Sequence, residues 1–237
     1  MIQQIKGKIF LADQRGLTET PGYRCRQTFN AGNYFNDHKQ PFGELFALND
    51  YTLAGNGAVK ISAIETGFMV LLPVAGAIQC KTGSGIDTLV AAGQVQVIPC
   101  EKNDTIELTN PFSEDFVQFL QIAIRVKKAT GLPAFMIDTY NDVNEQLNQL
   151  VVVTGESVAI KTPFGLMLGK FSGRGEMVFL PRNKTAGIFT FVIEGAFEVE
   201  GRLLHAGDGL ALWETGAAEM EALSNDAIVM VIELASV

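Results

Sequence analysis

Gly76-Ala77-Ile78-Gln79, followed by Ala92-Gly93-Gln94-Val95-Gln96-Val97, finds an echo in the second half of the chain. The echo is Gly195-Ala196-Phe197-Glu198, followed by Ala206-Gly207-Asp208-Gly209-Leu210-Ala211. Beyond each copy, Leu108-Thr109-Asn110 is answered by Leu223-Ser224-Asn225. The spacing between copies is 119 residues at Gly-Ala, 114 at Ala-Gly and 115 at the Asn. Three matches in one order, at an offset that changes by five residues across one hairpin and by one elsewhere, mean two copies of one structural plan. A chain of 237 residues has room for two domains of ordinary size.

Each copy is built from short apolar runs separated by Gly, Asn and Asp turns. Examples are Phe68 to Val74, Leu89 to Ile98, Phe116 to Val126, Phe189 to Glu194 and Ala227 to Leu234. Runs of this length, rich in β-branched and aromatic residues, predict strands of a barrel or sandwich. Gly 24 against Pro 8 suits tight turns, and 47% hydrophobic residues supply two cores. One helix is expected, over Asn141 to Val151, where Val143, Leu147 and Leu150 fall at helical spacing behind caps at Asp138 and Thr139. The expected division is a first β-domain over 1–126, a partly helical linker over 127–163 and a second β-domain over 164–237.

Charge narrows the partners. The net charge is −8, and no basic stripe exceeds Lys127-Lys128, so direct nucleic-acid binding is not expected. No stretch reaches about 18 uninterrupted apolar residues, so no membrane helix is expected. Cys25, Cys80 and Cys100 are an odd, widely spaced set without a CxxC pair. With an N-terminus that lacks a signal-like apolar core, they read as reduced thiols of a cytoplasmic protein. Nothing specifies an oligomeric state.

The order strand, Gly-Ala, hairpin, Ala-Gly-Asp/Gln resembles the cupin hairpin and its next strand, in which two sheets close a small jelly roll over an interior cavity. The likeness extends further. Phe29-Asn30-Ala31-Gly32-Asn33-Tyr34-Phe35-Asn36, Phe42-Gly43, Leu48-Asn49-Asp50-Tyr51, Ala54-Gly55-Asn56-Gly57 and Asn110-Pro111 resemble the pirin family's N-terminal cupin. Gly207-Asp208-Gly209-Leu210-Ala211-Leu212-Trp213 is similar to a strand of its C-terminal cupin. The resemblance implies an all-β protein of two tandem cupin (double-stranded β-helix, jelly-roll) barrels joined by a short partly helical linker. It covers nearly the whole chain and is weakest over 127–163.

In the pirin family the N-terminal barrel is expected to bind iron through His-x-His after the Ala-Gly-x-Gly turn and His-x-Glu before Asn-Pro. Such x-spaced residues on a strand share one face, so both pairs reach the barrel interior. Here the four positions are Ile61, Ala63, Ile106 and Leu108. None offers a donor atom, so no metal or other cofactor is expected. The family's quercetin 2,3-dioxygenase and iron-dependent transcriptional-cofactor roles therefore do not carry over.

An apolar pocket around Ile61, Ala63, Ile106, Leu108 and Phe68 is expected instead, suited to a small hydrophobic or aromatic ligand. Gln96, Gln118 or Gln121 could anchor its polar groups, according to strand phase. Glu65 lies on the ligand face two residues past Ala63, as a pocket acid or as a strand-end partner of a lysine. His38 and His205 fall in loops or hairpins of different halves. Glu219 and Glu221 flank Met220 as solvent-facing residues, and Thr82-Gly83-Ser84-Gly85 is a hairpin tip, not a phosphate loop. The expected function is a degenerate, metal-free binding or regulatory bicupin with no catalytic residues. The alternatives are a metal-independent isomerase or lyase working through a perturbed carboxylate, and a bicupin that only binds a protein partner.

Overall fold

The computed structural model describes residues 5–126, 136–140, 143, 145–155 and 162–235. Two compact units emerge: Arg15–Thr139, and Met1–Gln14 together with Tyr140–Val237. The first strand, β1 (Gly7–Phe10), and a 3-10 turn at Ala12–Gln14 fall in the second of these units, here called the C-terminal unit.

The N-terminal unit holds β2 (Gly16–Glu19), β3 (Tyr23–Gln27), β4 (Leu45–Leu53), β5 (Ala58–Ser62), β6 (Gly67–Ala75) and β7 (Ala77–Thr82). It continues with β8 (Asp87–Ala91), β9 (Gln94–Cys100), β10 (Thr105–Thr109), β11 (Val117–Arg125) and β12 (Met136–Thr139). The C-terminal unit adds β13 (Gln149–Thr154), β14 (Gly165–Phe171), β15 (Glu176–Phe179), β16 (Gly187–Glu194) and β17 (Ala196–Val199) to β1. Its last strands are β18 (Arg202–His205), β19 (Gly209–Leu212), β20 (Ala218–Ala222) and β21 (Ala227–Leu234).

Both units are two-sheet jelly rolls of one topology. The N-terminal unit pairs its strands in the orders β12-β9-β6-β11-β4-β3-β2 and β5-β10-β7-β8. The C-terminal unit has β1-β19-β16-β21-β14-β13 and β15-β20-β17-β18. The orders β9-β6-β11-β4 and β19-β16-β21-β14 are the same path taken twice, as are the two four-stranded sheets. The repeated glycines mark the turns that path requires. Gly76 and Gly195 have φ +77 and +78, and Gly93 and Gly207 have +89 and +84. Side chains with a Cβ rarely adopt that region.

The repeated Asn residues also act alike. Asn110 is buried, and its Nδ2 donates to the carbonyls of Leu53, Ala54 and Asp115. Asn225 accepts at Oδ1 from the Gly173 N–H at 3.0 Å. Each ties the loop before the last strand to another part of its own barrel.

Inside the N-terminal barrel, Tyr51, Leu53, Met69, Leu71, Ile98, Cys100, Ile106, Leu108, Val117 and Phe119 form one core with Cys25 and Cys80. Tyr51 stacks on Phe119 at 5.2 Å between ring centroids. The C-terminal barrel closes over Phe171, Phe197, Leu204, Leu210, Met220 and Val231.

Three expectations change. Gln149–Thr154 is a strand paired with β14, so the C-terminal half of the expected helix is extended. Val151 and Val153 are buried while Val152 is exposed, which is a period of two. Of the rest of that span, Val143 and Glu145 to Asn148 are turn or bend, and residues 141, 142 and 144 lie outside the described residues. Leu89 to Ile98 is two strands separated by the Ala92-Gly93 turn. The expected bounds of 1–126, 127–163 and 164–237 also shift, because strand pairing crosses them. β1 joins β19 of the C-terminal unit, β12 joins β9 of the N-terminal unit, and β13 joins β14.

Candidate functional site

The four positions at which the resemblance implies metal ligands come together on the inner face of the four-stranded sheet of the N-terminal barrel. Ile106 stands opposite Ile61 across the β5–β10 ladder, and Leu108 stands opposite Val59. Ala63 follows β5, its N–H donating to Asp104 O at 2.8 Å. Ala63, Ile106 and Leu108 are buried and Ile61 packs against the same core. Hydrocarbon side chains supply no lone pair, so the iron implied by the resemblance does not fit this set. Among the described residues, no group of three or more His, Cys, Asp or Glu is placed to hold a metal ion.

What occupies this end of the barrel is a cavity of about 160 Å³. Ile61, Ala63, Glu65 and Gln121 of the expected site line it, and Phe68 contributes as well. Phe68 is buried, yet it alternates with Met69 and Leu71, which are the β6 residues packed into the barrel core. Ile106 and Leu108 lie behind this wall, closed into the core. Gln96 also lies outside the lining. It is fully buried, and its Nε2 donates to Thr88 Oγ1 at 3.0 Å while its Oε1 is buried without a hydrogen-bond partner. Gln118 points to the other sheet face, donating to Asp50 Oδ1 at 3.0 Å.

The polar wall arises from strand register. Gln27 of β3 pairs with Asn49 of β4, and Asn49 pairs with Gln121 of β11. The row continues through Leu71 of β6 to Gln96 of β9. Residues in register on neighbouring strands share a face, so four carboxamides cross the inner face of the sheet in one line. Three of them, Gln27, Asn49 and Gln121, line the cavity. Asn49 Nδ2 donates to Gln121 Oε1 at 2.7 Å, and Gln27 Oε1 is buried without a hydrogen-bond partner. Sequence reasoning missed Gln27, Asn30, Asn49, Tyr51, Met69 and Cys100. Counting back by twos from the apolar Leu53 to Tyr51 and Asn49 would have placed Asn49 inward.

Glu65 is at the rim, where Arg125 grips its carboxylate with Nε and with Nη2, the latter at 2.7 Å. The hydrogen bonds from Arg125 hold the Glu65 carboxyl below its ordinary range. Arg125 also lies over the Phe46 ring, 5.8 Å from its centroid. An acid held ionised by a guanidinium has the opposite perturbation from a general acid.

The Cys100 thiol lines the cavity, and burial pushes it up to about 12. Burial lifts Cys80 to about 12 and Cys25 to about 11, the latter opposed by a hydrogen bond with Tyr51. Thiols so placed are neutral at physiological pH and poor nucleophiles.

His38 and His205 are exposed. Glu219 is exposed, and Glu221, flanked by buried Met220, accepts an ion pair from Arg174 at 2.6 Å. Gly83 to Gly85 sit in the turn between β7 and β8. No helix among the described residues is long and apolar enough to cross a membrane.

Residues 153–234 match the family described as quercetinase C-terminal cupin domain. No curated protein matches the chain. Among solved structures, YhhW from Escherichia coli is 18% identical with a TM-score of 0.86, covering 98% of this chain and 99% of that one. A second structure, the bacterial pirin YhhW in complex with nickel(II) from Escherichia coli, is 19% identical with a TM-score of 0.83, covering 98% of this chain and 100% of that one. A quercetin 2,3-dioxygenase from Acinetobacter baumannii is 16% identical with a TM-score of 0.71, covering 98% of this chain and 79% of that one. The fold is that of a pirin-like bicupin.

Proposed function

We propose that this pirin-like bicupin is a small-molecule-binding or regulatory protein whose N-terminal barrel takes up a compact organic ligand without a metal. The observation that carries the proposal is a cavity of about 160 Å³ with Ile61 and Ala63 on one side and buried carboxamides on the other. An apolar cavity of about 150 Å³ accepts benzene, so this one suits a single ring with small substituents, and a larger ligand would extend past its rim. Metal-dependent oxygenase chemistry has no support from Ile61, Ala63, Ile106 and Leu108, whose side chains cannot ligate. A metal-independent acid–base enzyme has less support than a binding protein, because the carboxyl at the rim, Glu65, is ion-paired and shifted downward. Three free, buried thiols suit a reducing compartment such as the cytoplasm.

The test joins two measurements on untagged protein. Elemental analysis after exposure to iron, nickel and zinc is expected to find well under one metal per chain. A screen of single-ring fragments, read by the methyl signals of Ala63 and Met69, is expected to find ligands that move both. One tightly held metal per chain, or a screen in which neither methyl responds to any fragment, would overturn the proposal.

A further inference from the structure

The carboxamide row sets the polar chemistry that a ligand in the cavity would meet. We infer, building on that reading, that the cavity is selective for an uncharged single-ring lactam or carboxamide, recognised by the Asn49–Gln121 pair.

Asn49 and Gln121 are 9% and 2% exposed, and both line the cavity. Their mutual bond uses one Asn49 amino hydrogen and the Gln121 carbonyl oxygen. The Asn49 carbonyl oxygen and the Gln121 amino group make no further bond to described residues. Neither atom is among the described side-chain atoms buried without a partner, so both are open to the cavity, where water or a ligand can pair with them. If both amides were turned over, Gln121 would donate to Asn49, leaving the Gln121 oxygen and the Asn49 amino group instead. In either orientation the pair offers one C=O and one NH₂.

The complementary ligand carries one N–H and one C=O, as a lactam or a ring carboxamide does. Charge argues for neutrality. Glu65 is the one ionisable carboxylate in the lining, and Arg125 already neutralises it. Among the described residues no lysine or arginine lines the cavity, so a carboxylate ligand would be desolvated without a counter-charge from them. The apolar half of the wall, Ile61, Ala63 and Met69, takes the ring.

The experiment titrates three probes of similar size into the whole protein: 2-pyridone, N-methyl-2-pyridone, which lacks the N–H, and toluene, which lacks both polar groups. Dissociation constants come from the Ala63 and Met69 methyl shifts. One lost hydrogen bond at a buried amide that stays unpaired corresponds to roughly ten-fold. The expected order is 2-pyridone, then N-methyl-2-pyridone about ten-fold weaker, then toluene. Gln121→Met keeps the side-chain length and removes the amide, so it should erase the preference while toluene binding persists. Asn49→Leu serves as a second variant if Gln121→Met does not fold.

Equal affinity for all three probes in the wild-type protein would overturn the lactam inference and leave the binding proposal standing. Failure of every probe to move either methyl would overturn both.

Discussion

Leu108→Glu places a carboxyl where the resemblance implies the one anionic metal ligand, and the structure sets its cost. Leu108 is fully buried, with Val59 and Cys80 as its cross-strand neighbours. Losing its burial removes about 1.5–3 kcal/mol. The glutamate would have no cation within the apolar set Ile61, Ala63 and Ile106, so desolvation would raise its folded-state pKa by roughly 3 units from about 4.3. At about 1.36 kcal/mol per unit this adds roughly 4 kcal/mol at pH 7.5. The total, roughly 5.5–7 kcal/mol, is comparable to the whole stability of an ordinary domain. The sign follows from a folded pKa above the unfolded one. Below the unfolded value both states are protonated and the charge penalty is absent; it grows as pH rises toward the folded value. The variant should therefore be far more stable at pH 4.5 than at pH 7.5. Urea unfolding at both pH values, followed by the Ala63 and Met69 methyl signals, measures this in the N-terminal unit. Trp213, the only tryptophan, lies in the C-terminal unit and reports on that unit instead. A Leu108→Glu protein as stable as wild type at pH 7.5, with no pH dependence beyond it, would show that this position meets water or a cation. The account of the interior as unable to hold a charge would then be wrong.

Three further outcomes are expected. Glu65→Gln should cost at most about 1 kcal/mol, because the Arg125 pair is partly exposed. Its depressed carboxyl stabilises the fold above the unfolded pKa and loses that effect as pH falls through the folded pKa. The difference from wild type should thus vanish in acid, as read by thermal melts from pH 7 to pH 3. Gly195→Ala should destabilise by roughly 2–3 kcal/mol, since an added Cβ meets a positive φ and stands 2.3 Å from Ser224 Oγ, whereas Gly83→Ala, with nothing within 4 Å, should stay within about 0.5 kcal/mol. Denaturant titration of the two variants separates these outcomes. Cys25, Cys80 and Cys100, buried and raised to between about 11 and about 12, should resist iodoacetamide at pH 8 in the native protein and react rapidly in urea. Mass spectrometry counts the adducts.

The repeat was legible because its glycines are demanded by local geometry. A turn at positive φ leaves the same residue at Gly76 and Gly195 whatever else diverges. That Ile61 and Ala63, and Ile106 and Leu108, each share a face followed from their x-spacing, but the pairing of Ile61 with Ile106 across the ladder had no sequence signal. The mistaken helix came from weighing Val143, Leu147 and Leu150 at a period near four, while Val151-Val152-Val153-Thr154, a β-branched run, carried the opposite signal. The membership of β1 in the C-terminal barrel had no local signal. Gly7–Phe10 pairs with residues some two hundred positions away, and only the tertiary fold brings Lys8 opposite Ala211.

The carboxamide row shows why the site was harder to find than the fold. Gln27, Asn49, Gln121 and Gln96 are scattered along the chain, and each alone is an unremarkable polar residue on a strand. They become one feature only when the registers β3–β4, β4–β11, β11–β6 and β6–β9 are all known, and a slip of one residue at any ladder would turn part of the row to the other sheet face. The apolar residues at the positions of the implied ligands point the same way from the opposite sheet. A barrel needed only for its stability would be expected to fill the volume left beside Ala63 with larger side chains, since unfilled space costs stability. Instead the wall keeps small Ala63 facing buried amides, with the ion pair Glu65–Arg125 at the rim. Small hydrocarbon on one side and a mutually bonded amide pair on the other is the composition that the proposed ring ligand, with its polar edge, requires.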